Sequence, residues 1–165
     1  MNLAIVILAA GKGTRMESDL AKVLHPLCEK PLVHWVLEAV APLQPQRTVA
    51  VVGHQAEIVK QQIGAKFPAV EYALQSEMLG TGHAVQQVEP LLRDFSGDII
   101  VMCGDAPLVQ TNTLKELIQK RRASGASASM MVAEADNPGS YGRVIVEDGG
   151  RVSQIVEAKD ATPEQ

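Results

Sequence analysis

A chain of 165 residues is long enough for one domain with a substantial hydrophobic core. Hydrophobic residues make up 46% of it and charged residues 21%, proportions that are typical of globular proteins. The formal net charge of -4 argues against nucleic acid as a partner, because non-specific binding to nucleic acid needs a basic surface. A local group of lysine and arginine could still bind a small anion.

The N-terminal stretch MNLAIVILAAG is too short an apolar run to span a membrane, and it lacks the basic region of a signal peptide. We therefore expect no membrane partner. Cys28 and Cys103 have no metal-binding spacing, and they do not define a disulfide. Together these features predict a cytoplasmic protein.

Apolar, branched runs alternate with stretches of helical periodicity over the first three quarters of the chain. Residues 3–8, 48–52 and 98–102 are predicted to be strands buried on both faces, and residues 71–74 a weaker fourth strand. The stretches 32–41, 55–63, 82–92 and 113–124 are predicted to be helices. This alternation predicts an α/β fold with a mostly parallel sheet and helices on both faces.

The pattern changes after Gly125. Residues 130–133, 143–147 and 152–156 are predicted to be strands, the last two as a hairpin around Asp148-Gly149-Gly150. The segment Thr162-Pro163-Glu164 resembles the first turn of a helix, so we expect a single domain, 1–165, that is incomplete at its C-terminus.

Residues 8–16, LAAGKGTRM, follow the first predicted strand and combine glycines with basic side chains. Such a loop is either a phosphate-binding loop or an ordinary mobile turn. The spacing does not fit a P-loop, and the dinucleotide fingerprint fails because Met16 stands where its third glycine should be. These mismatches argue against a dehydrogenase.

The same nine residues fit the loop L-x(2)-G-x-G-[ST]-R-[ML], with Lys22 a short distance beyond it. Here the chain resembles the sugar-phosphate nucleotidyltransferases. Within them it is most similar to the uridyltransferase domains of the bifunctional N-acetylglucosamine-1-phosphate uridyltransferases and glucosamine-1-phosphate acetyltransferases. The segments LQSEMLGTGHAV, GDAPLV, YGRVIVE and IVEAKDAT extend the similarity over nearly the whole chain.

The resemblance implies a three-layer Rossmann-like nucleotidyltransferase fold with a C-terminal β-hairpin. It also implies that UTP and N-acetylglucosamine-1-phosphate react to give UDP-N-acetylglucosamine and pyrophosphate for cell-wall precursor synthesis. Positioning and electrostatic stabilisation supply most of the catalysis in such phosphoryl transfers. Arg15 and Lys22 are the expected triphosphate-binding catalytic residues, and Asp105 is the expected ligand of the cofactor Mg²⁺.

By the same resemblance, Gln75 and Gly80 would read uracil, and Thr81, Gly142 and Glu157 would bind the sugar. The remaining expected substrate-binding residues lie at the ends of the predicted strands 3–8 and 98–102: Leu8, Ala9, Ala10, Gly11, Cys103 and Gly104. Taken singly, the basic residues could be solvated surface charges and Asp105 a turn former. The four histidines have no ligand spacing and are predicted to be packed or surface groups.

Two positions depart from the family pattern. Cys103 stands where an aromatic residue is usual, and Met78 stands where a second glutamine is usual. The chain also ends before the family's later sugar-binding and metal-binding asparagines and its acetyltransferase domain, and a homotrimer is expected only for the full-length form. Two alternatives stay open: a related enzyme with another base or sugar, and a nucleotide-binding module without catalysis.

Overall fold

The computed structural model describes residues 2–13 and 16–162, and the chain divides after Ser124 into two compact units. The first unit contains a four-stranded parallel sheet with the order β5-β4-β1-β6. Its strands are β1 (Leu3–Ala9), β4 (Arg47–Val52), β5 (Glu71–Leu74) and β6 (Asp98–Cys103). A short antiparallel pair, β2 (Pro26–Leu27) and β3 (Lys30–Pro31), lies between β1 and β4 in the sequence. The expected parallel sheet is confirmed.

Helices pack on both faces of this sheet. The helices are α1 (Leu32–Val40), α2 (Ala56–Gly64), α3 (Thr81–Gln86), α4 (Glu89–Leu92) and α5 (Thr111–Ser124). The larger hydrophobic cluster joins α1, α2 and α5 to one face, and a smaller cluster joins α3 and α4 to the other. The expected three-layer arrangement is therefore confirmed.

The strand β6 is exposed on one face, although its sequence predicted burial on both. Its Ile100 and Met102 belong to the larger cluster, whereas Ile99 and Val101 are 50% and 45% exposed. The strand lies at the edge of the sheet. On the sheet face that carries Ile99 and Val101, the smaller cluster covers β5, β4 and β1. The apolar run thus predicted the strand correctly, but the burial that it predicted was too high.

The helix predicted over residues 82–92 is two short helices. Pro90 lies in the first turn of α4. A proline lacks the backbone N–H, and within a continuous helix its ring would clash with the carbonyl of Gln86. The chain therefore ends α3 at Gln86 and starts a new helix at Glu89.

In the second unit, β7 (Arg143–Val146) and β8 (Val152–Val156) form the predicted antiparallel hairpin. The strand predicted over residues 130–133 takes part in no backbone ladder of the described residues, and Met130, Met131 and Val132 are exposed. These residues are apolar, but a strand also needs a neighbouring strand to pair with, and among the described residues they have none. The predicted helix start at Thr162 runs into residues 163–165, which lie outside the described part of the chain.

No helix among residues 2–13 and 16–162 is long and apolar enough to cross a membrane.

Candidate functional site

The carboxyl ends of the four parallel strands meet at one edge of the sheet, and a cavity of about 300 Å³ opens there. Ligands bind at this edge in open α/β sheets. Loops that follow β1, β5 and β6 supply most of its walls. The lining residues are Leu8, Ala10, Gly11, Lys22, Val23, Gln75, Met78, Gly80, Thr81, Ala84, Cys103 and Asp105. Residues that are distant in the sequence thus share one site.

Nine of the residues expected in the site line this cavity, four other described residues do not, and one lies outside the described residues. Ala9 is buried in the larger cluster on the other face of β1. Gly104 is not among the lining residues, and its backbone N–H donates to the carbonyl oxygen of Leu8, 2.9 Å away. Arg15 lies outside the described residues, so its expected role stays a prediction.

The other two expected residues, Gly142 and Glu157, belong to the second unit. They flank its hairpin, Gly142 before β7 and Glu157 after β8. A Cβ atom at position 142 would lie 3.9 Å from Oε2 of Glu157 and 3.4 Å from the carbonyl oxygen of Val156. The two residues are therefore neighbours, as the sequence segments YGRVIVE and IVEAKDAT suggested.

Lys22 begins a 3₁₀ turn, Lys22–Leu24, that is held in place by buried neighbours. Ala21 is fully buried, and its backbone N–H donates to Oε1 of Gln55, 2.8 Å away, at the start of α2. Val23 and Leu24 are buried in the larger cluster. The turn consequently holds the Lys22 side chain at the cavity.

The ammonium of Lys22 forms an ion pair with the carboxylate of Asp105, which follows β6. Both side chains are partly exposed, and both line the cavity. Among the described residues no group of three or more histidine, cysteine, aspartate or glutamate side chains is arranged to hold a metal. A Mg²⁺ ion held by Asp105 would take most of its ligands from substrate phosphates and waters, as is usual for this ion.

Gln75 is a buried polar residue, 3% exposed, at the end of β5. Its backbone N–H donates to the carbonyl of Val52, 2.8 Å away, which continues the sheet pairing by one residue. Its side-chain Nε2 lies 3.1 Å from the carbonyl oxygen of Gly80 and 3.1 Å from Nδ1 of His83. Sequence reasoning did not single out His83, because nothing in the residue spacing indicates this contact.

Two glycines allow the chain to pass closely around Gln75. Gly80 has a φ of 101° and a ψ of -179°, a conformation that is essentially restricted to glycine. Gly53, just after β4, leaves no room for a side chain, since a Cβ atom there would lie 2.4 Å from Cε of Met78 and 2.9 Å from the carbonyl oxygen of Gln75. The close approach at Gly53 was not predicted from the sequence.

Cys103, the last residue of β6, carries a thiol beside the Lys22–Asp105 ion pair. Partial burial raises the pKa of the Cys103 thiol above its usual value, and the negative charge of Asp105 raises it further, whereas Lys22 lowers it. The thiol is therefore protonated at neutral pH, and it forms an uncharged part of the cavity wall.

A cavity at the carboxyl edge of a parallel sheet, with a glycine-rich loop and a lysine, is an arrangement suited to a nucleotide. The sequence matches the nucleotidyl transferase family over residues 4–164. The chain belongs to the nucleotidyl transferase family. The resemblance inferred from the glycine-rich loop is thereby confirmed.

Two relatives in this family illustrate the similarity. The chain is 50% identical over 165 residues to the bifunctional protein GlmU of Exiguobacterium sibiricum, covering all of this chain and 36% of that protein. It is 47% identical over 164 residues to the bifunctional protein GlmU of Pelobacter propionicus, covering 99% of this chain and 35% of that protein. The chain thus spans about a third of the length of these curated relatives.

Solved structures share the fold at lower sequence identity. HddC from Yersinia pseudotuberculosis matches with a TM-score of 0.72 and 24% identity, over 93% of this chain and 68% of that one. A 4-diphosphocytidyl-2C-methyl-D-erythritol synthase from Anaerococcus prevotii matches with a TM-score of 0.66 and 14% identity, over 96% of this chain and 65% of that one. These likenesses confirm the fold class.

Proposed function

We propose that this chain carries the nucleotide-binding half of a uridyltransferase that joins UTP and N-acetylglucosamine-1-phosphate to give UDP-N-acetylglucosamine and pyrophosphate. The observation that carries this proposal is the single cavity shared by the glycine-rich loop, Lys22, Gln75 and Asp105. It offers a cation for phosphates, an amide for a base and a carboxylate for a metal ion. In the cell this product is a cell-wall precursor.

The triphosphate binds beside Gly11 and Lys22 in this proposal. The reaction is attack by a phosphate oxygen of the sugar phosphate on the α-phosphorus of UTP, with pyrophosphate as the leaving group. Both reactants are anionic, so a positive side chain lowers the repulsion between them and offsets the charge on the phosphorus. Lys22 fits that role because its turn is anchored to the core, and Arg15 is expected to share it.

The base binds beside Gln75 and Gly80, and Thr81 lies next to them in the cavity wall. A buried, hydrogen-bonded amide such as Gln75 is a suitable reader of an imide edge, because its orientation does not change when the ligand enters. The acetylated sugar is expected to contact Thr81, Gly142 and Glu157. Cys103 and Gly104 complete the expected surroundings of the nucleotide.

Asp105 fits the role of the Mg²⁺ ligand, since it presents its carboxylate to the cavity at the carboxyl end of β6. When bound, the ion neutralises charge on the phosphate oxygens. The ammonium of Lys22 forms an ion pair with the same carboxylate, so the cavity wall carries one negative and one positive side chain side by side. A Mg²⁺ ion held by Asp105 would supply positive charge beside the phosphates, and Lys22 would bind the triphosphate.

The activity of the whole protein, a homotrimeric assembly and a role in cell-wall synthesis belong to this proposal as well, because the chain spans about a third of its relatives' length. A nucleotide-binding module without turnover is the principal alternative. A related enzyme that uses another base or sugar is the second.

Calorimetry of UTP binding with and without Mg²⁺, together with pyrophosphate release in the presence of N-acetylglucosamine-1-phosphate, tests the proposal. We expect UTP to bind and the Arg15→Ala variant to bind it more weakly. Binding with pyrophosphate release would support a uridyltransferase, whereas binding without release would support the silent module. Release from a different nucleoside triphosphate or with a different sugar phosphate would identify the related enzyme, and no UTP binding would contradict the proposal.

A further inference from the structure

We propose that His83 is a positioning residue that locks the side-chain amide of Gln75 in the orientation that accepts from uracil and rejects cytosine. This inference rests on the proposed function, in which Gln75 reads the base. It adds a residue that acts through Gln75 and that the glycine-rich loop and the other motifs do not indicate.

The orientation of the Gln75 amide follows from one contact. The carbonyl oxygen of Gly80 can only accept a hydrogen bond, so the side-chain atom 3.1 Å from it is the nitrogen Nε2. The same Nε2 lies 3.1 Å from Nδ1 of His83. Both amide hydrogens of Gln75 are thus directed at acceptors, one at Gly80 and the other at His83.

This arrangement determines the state of the His83 ring. Nδ1 accepts from Gln75, and the tautomer that fits this contact carries its proton on Nε2. Gln87 lies on that side, with Nε2 3.1 Å from Nε2 of His83. Nε2 of Gln87 also donates to the backbone carbonyl oxygen of His83, 3.1 Å away, so a half-turn that brings the Gln87 oxygen to the His83 proton exchanges that bond for one to the ring. The Gln87 side chain is less buried than that of Gln75, so of the two amides it is the one that turns.

The oxygen Oε1 is the remaining polar atom of Gln75, and the hydrogen bonds of the described residues leave it without a partner. Because Gln75 lines the cavity, this oxygen is the atom offered to a base. The N3 atom of uracil carries a hydrogen and donates to such an acceptor. The N3 atom of cytosine has a lone pair instead, and a buried acceptor facing it stays unpaired, which lowers affinity about 10- to 100-fold.

Removing the acceptor at position 83 weakens this selection. The amide of Gln75 would then keep only its bond to Gly80, and turning over would present an N–H group to the cavity that suits cytosine. Loss of one hydrogen bond corresponds to a change of about tenfold in the ratio of the two orientations. Selectivity between UTP and CTP should fall by about that factor.

Two substitutions at the same position separate positioning from packing. In His83→Leu the branched Cγ is kept and the acceptor is lost. In His83→Asn, Oδ1 replaces Nδ1 as the acceptor, which should restore the lock. Gln86→Leu, on the same helix and exposed, is the control.

The experiment measures the dissociation constants of UTP and CTP by calorimetry with Mg²⁺ for the wild-type chain and the three variants. We expect His83→Leu to lower the preference for UTP about tenfold, and His83→Asn and Gln86→Leu to keep it. An unchanged preference in a folded His83→Leu variant overturns the inference while leaving the proposed function intact. Absence of UTP binding by the wild-type chain contradicts the proposed function, and the selectivity inferred for His83 with it.

Nitrogen-15 NMR of the wild-type chain provides a readout that does not depend on a stable His83→Leu variant. We expect the proton of the His83 ring on Nε2 rather than on Nδ1, and the two amide protons of Gln75 to be well resolved and to exchange slowly. A proton on Nδ1 would overturn the inference.

Discussion

Lys22 and Asp105 form an ion pair at the cavity, joining the turn that follows the glycine-rich loop to the residue that follows β6. The two residues are 83 positions apart in the sequence. The parallel sheet brings them together. The pair is self-neutralising in the absence of ligand. A triphosphate with its metal ion offers each of the two side chains a new partner of opposite charge.

Replacing Lys22 by methionine should weaken UTP binding about 10- to 100-fold, because a charge-assisted hydrogen bond contributes about 1.5–3 kcal/mol. Calorimetry with Mg²⁺ measures the effect. Lys115→Met, on the exposed face of α5, removes the same charge far from the cavity and should leave the affinity unchanged. Equal effects of the two substitutions would contradict a direct role for Lys22.

Asp105→Asn should abolish the gain in UTP affinity that Mg²⁺ provides, since the variant keeps the size of the side chain and loses the negative charge. The affinity in the presence of a chelator should change much less than the affinity with the metal. Titrations of UTP with Mg²⁺ and with a chelator measure both. If the variant keeps the full gain from Mg²⁺, the metal is held elsewhere.

Gly53→Ala should lower the free energy of unfolding by about 1–3 kcal/mol, because the added methyl group overlaps Met78 and the backbone at Gln75. It should also weaken UTP binding, since it displaces the segment that carries Gln75. Gly64→Ala is the matched control: its nearest atom is the hydroxyl of Tyr72 at 3.6 Å, an ordinary contact. Denaturant unfolding should show a change within about 1 kcal/mol for the control.

The thiol of Cys103 should react slowly with iodoacetamide at pH 8, because its raised pKa leaves little thiolate. A Cys28→Ser background leaves Cys103 as the sole cysteine of the sequence. The rate should rise with pH, and Asp105→Asn should increase it by removing the negative charge that, after burial, raises the pKa of the thiol. Saturating UTP should protect the thiol, and an absence of protection would place the nucleotide away from β6.

Glu38 should contribute to stability above its usual pKa of 4.5, because hydrogen bonds from Lys30 and then Lys66 lower the pKa of this carboxyl group in the folded protein. The contribution is lost as the pH falls through the lowered value in the folded state. With Glu38 37% exposed, it should amount to under about 1 kcal/mol. Urea unfolding between pH 3 and 7 should therefore show a shallower acid dependence for Glu38→Gln, and no change for the exposed Glu116→Gln on α5.

Much of the fold follows from the chain's own periodicity. The strand predicted over residues 71–74 matches β5, and β1, β4 and β6, which consist largely of branched apolar residues, are each within one residue of their predicted ends. The break before Pro90 was foreseeable from proline chemistry, although the helical pattern obscured it. The missing strand at 130–133 was not foreseeable, because pairing depends on a partner elsewhere in the chain.

The candidate site likewise contains residues that could be predicted from the sequence and contacts that could not. Residues directly after strands, such as Gly11 and Asp105, were predictable because parallel strands end at one edge. The contact between His83 and Gln75 depends on the path of the chain around Gly80, which no residue spacing encodes. Gly53 is similar: a side chain there would meet the backbone carbonyl oxygen of Gln75, a residue far from Gly53 in the sequence.

The break between α3 and α4 has a consequence for ligand exchange. Thr81 and His83 lie on a helix of only six residues, whereas the apolar contacts of Leu91 and Leu92 belong to the separate helix that follows. Of the described α3 residues only Ala84 lies in the smaller cluster, so local opening of α3 breaks few of the apolar contacts that hold α4. We expect amide hydrogens of α3 to exchange with solvent faster than those of β1, and addition of nucleotide to slow them selectively. The proline that ends one helix early thus gives the cavity wall its own local unfolding equilibrium.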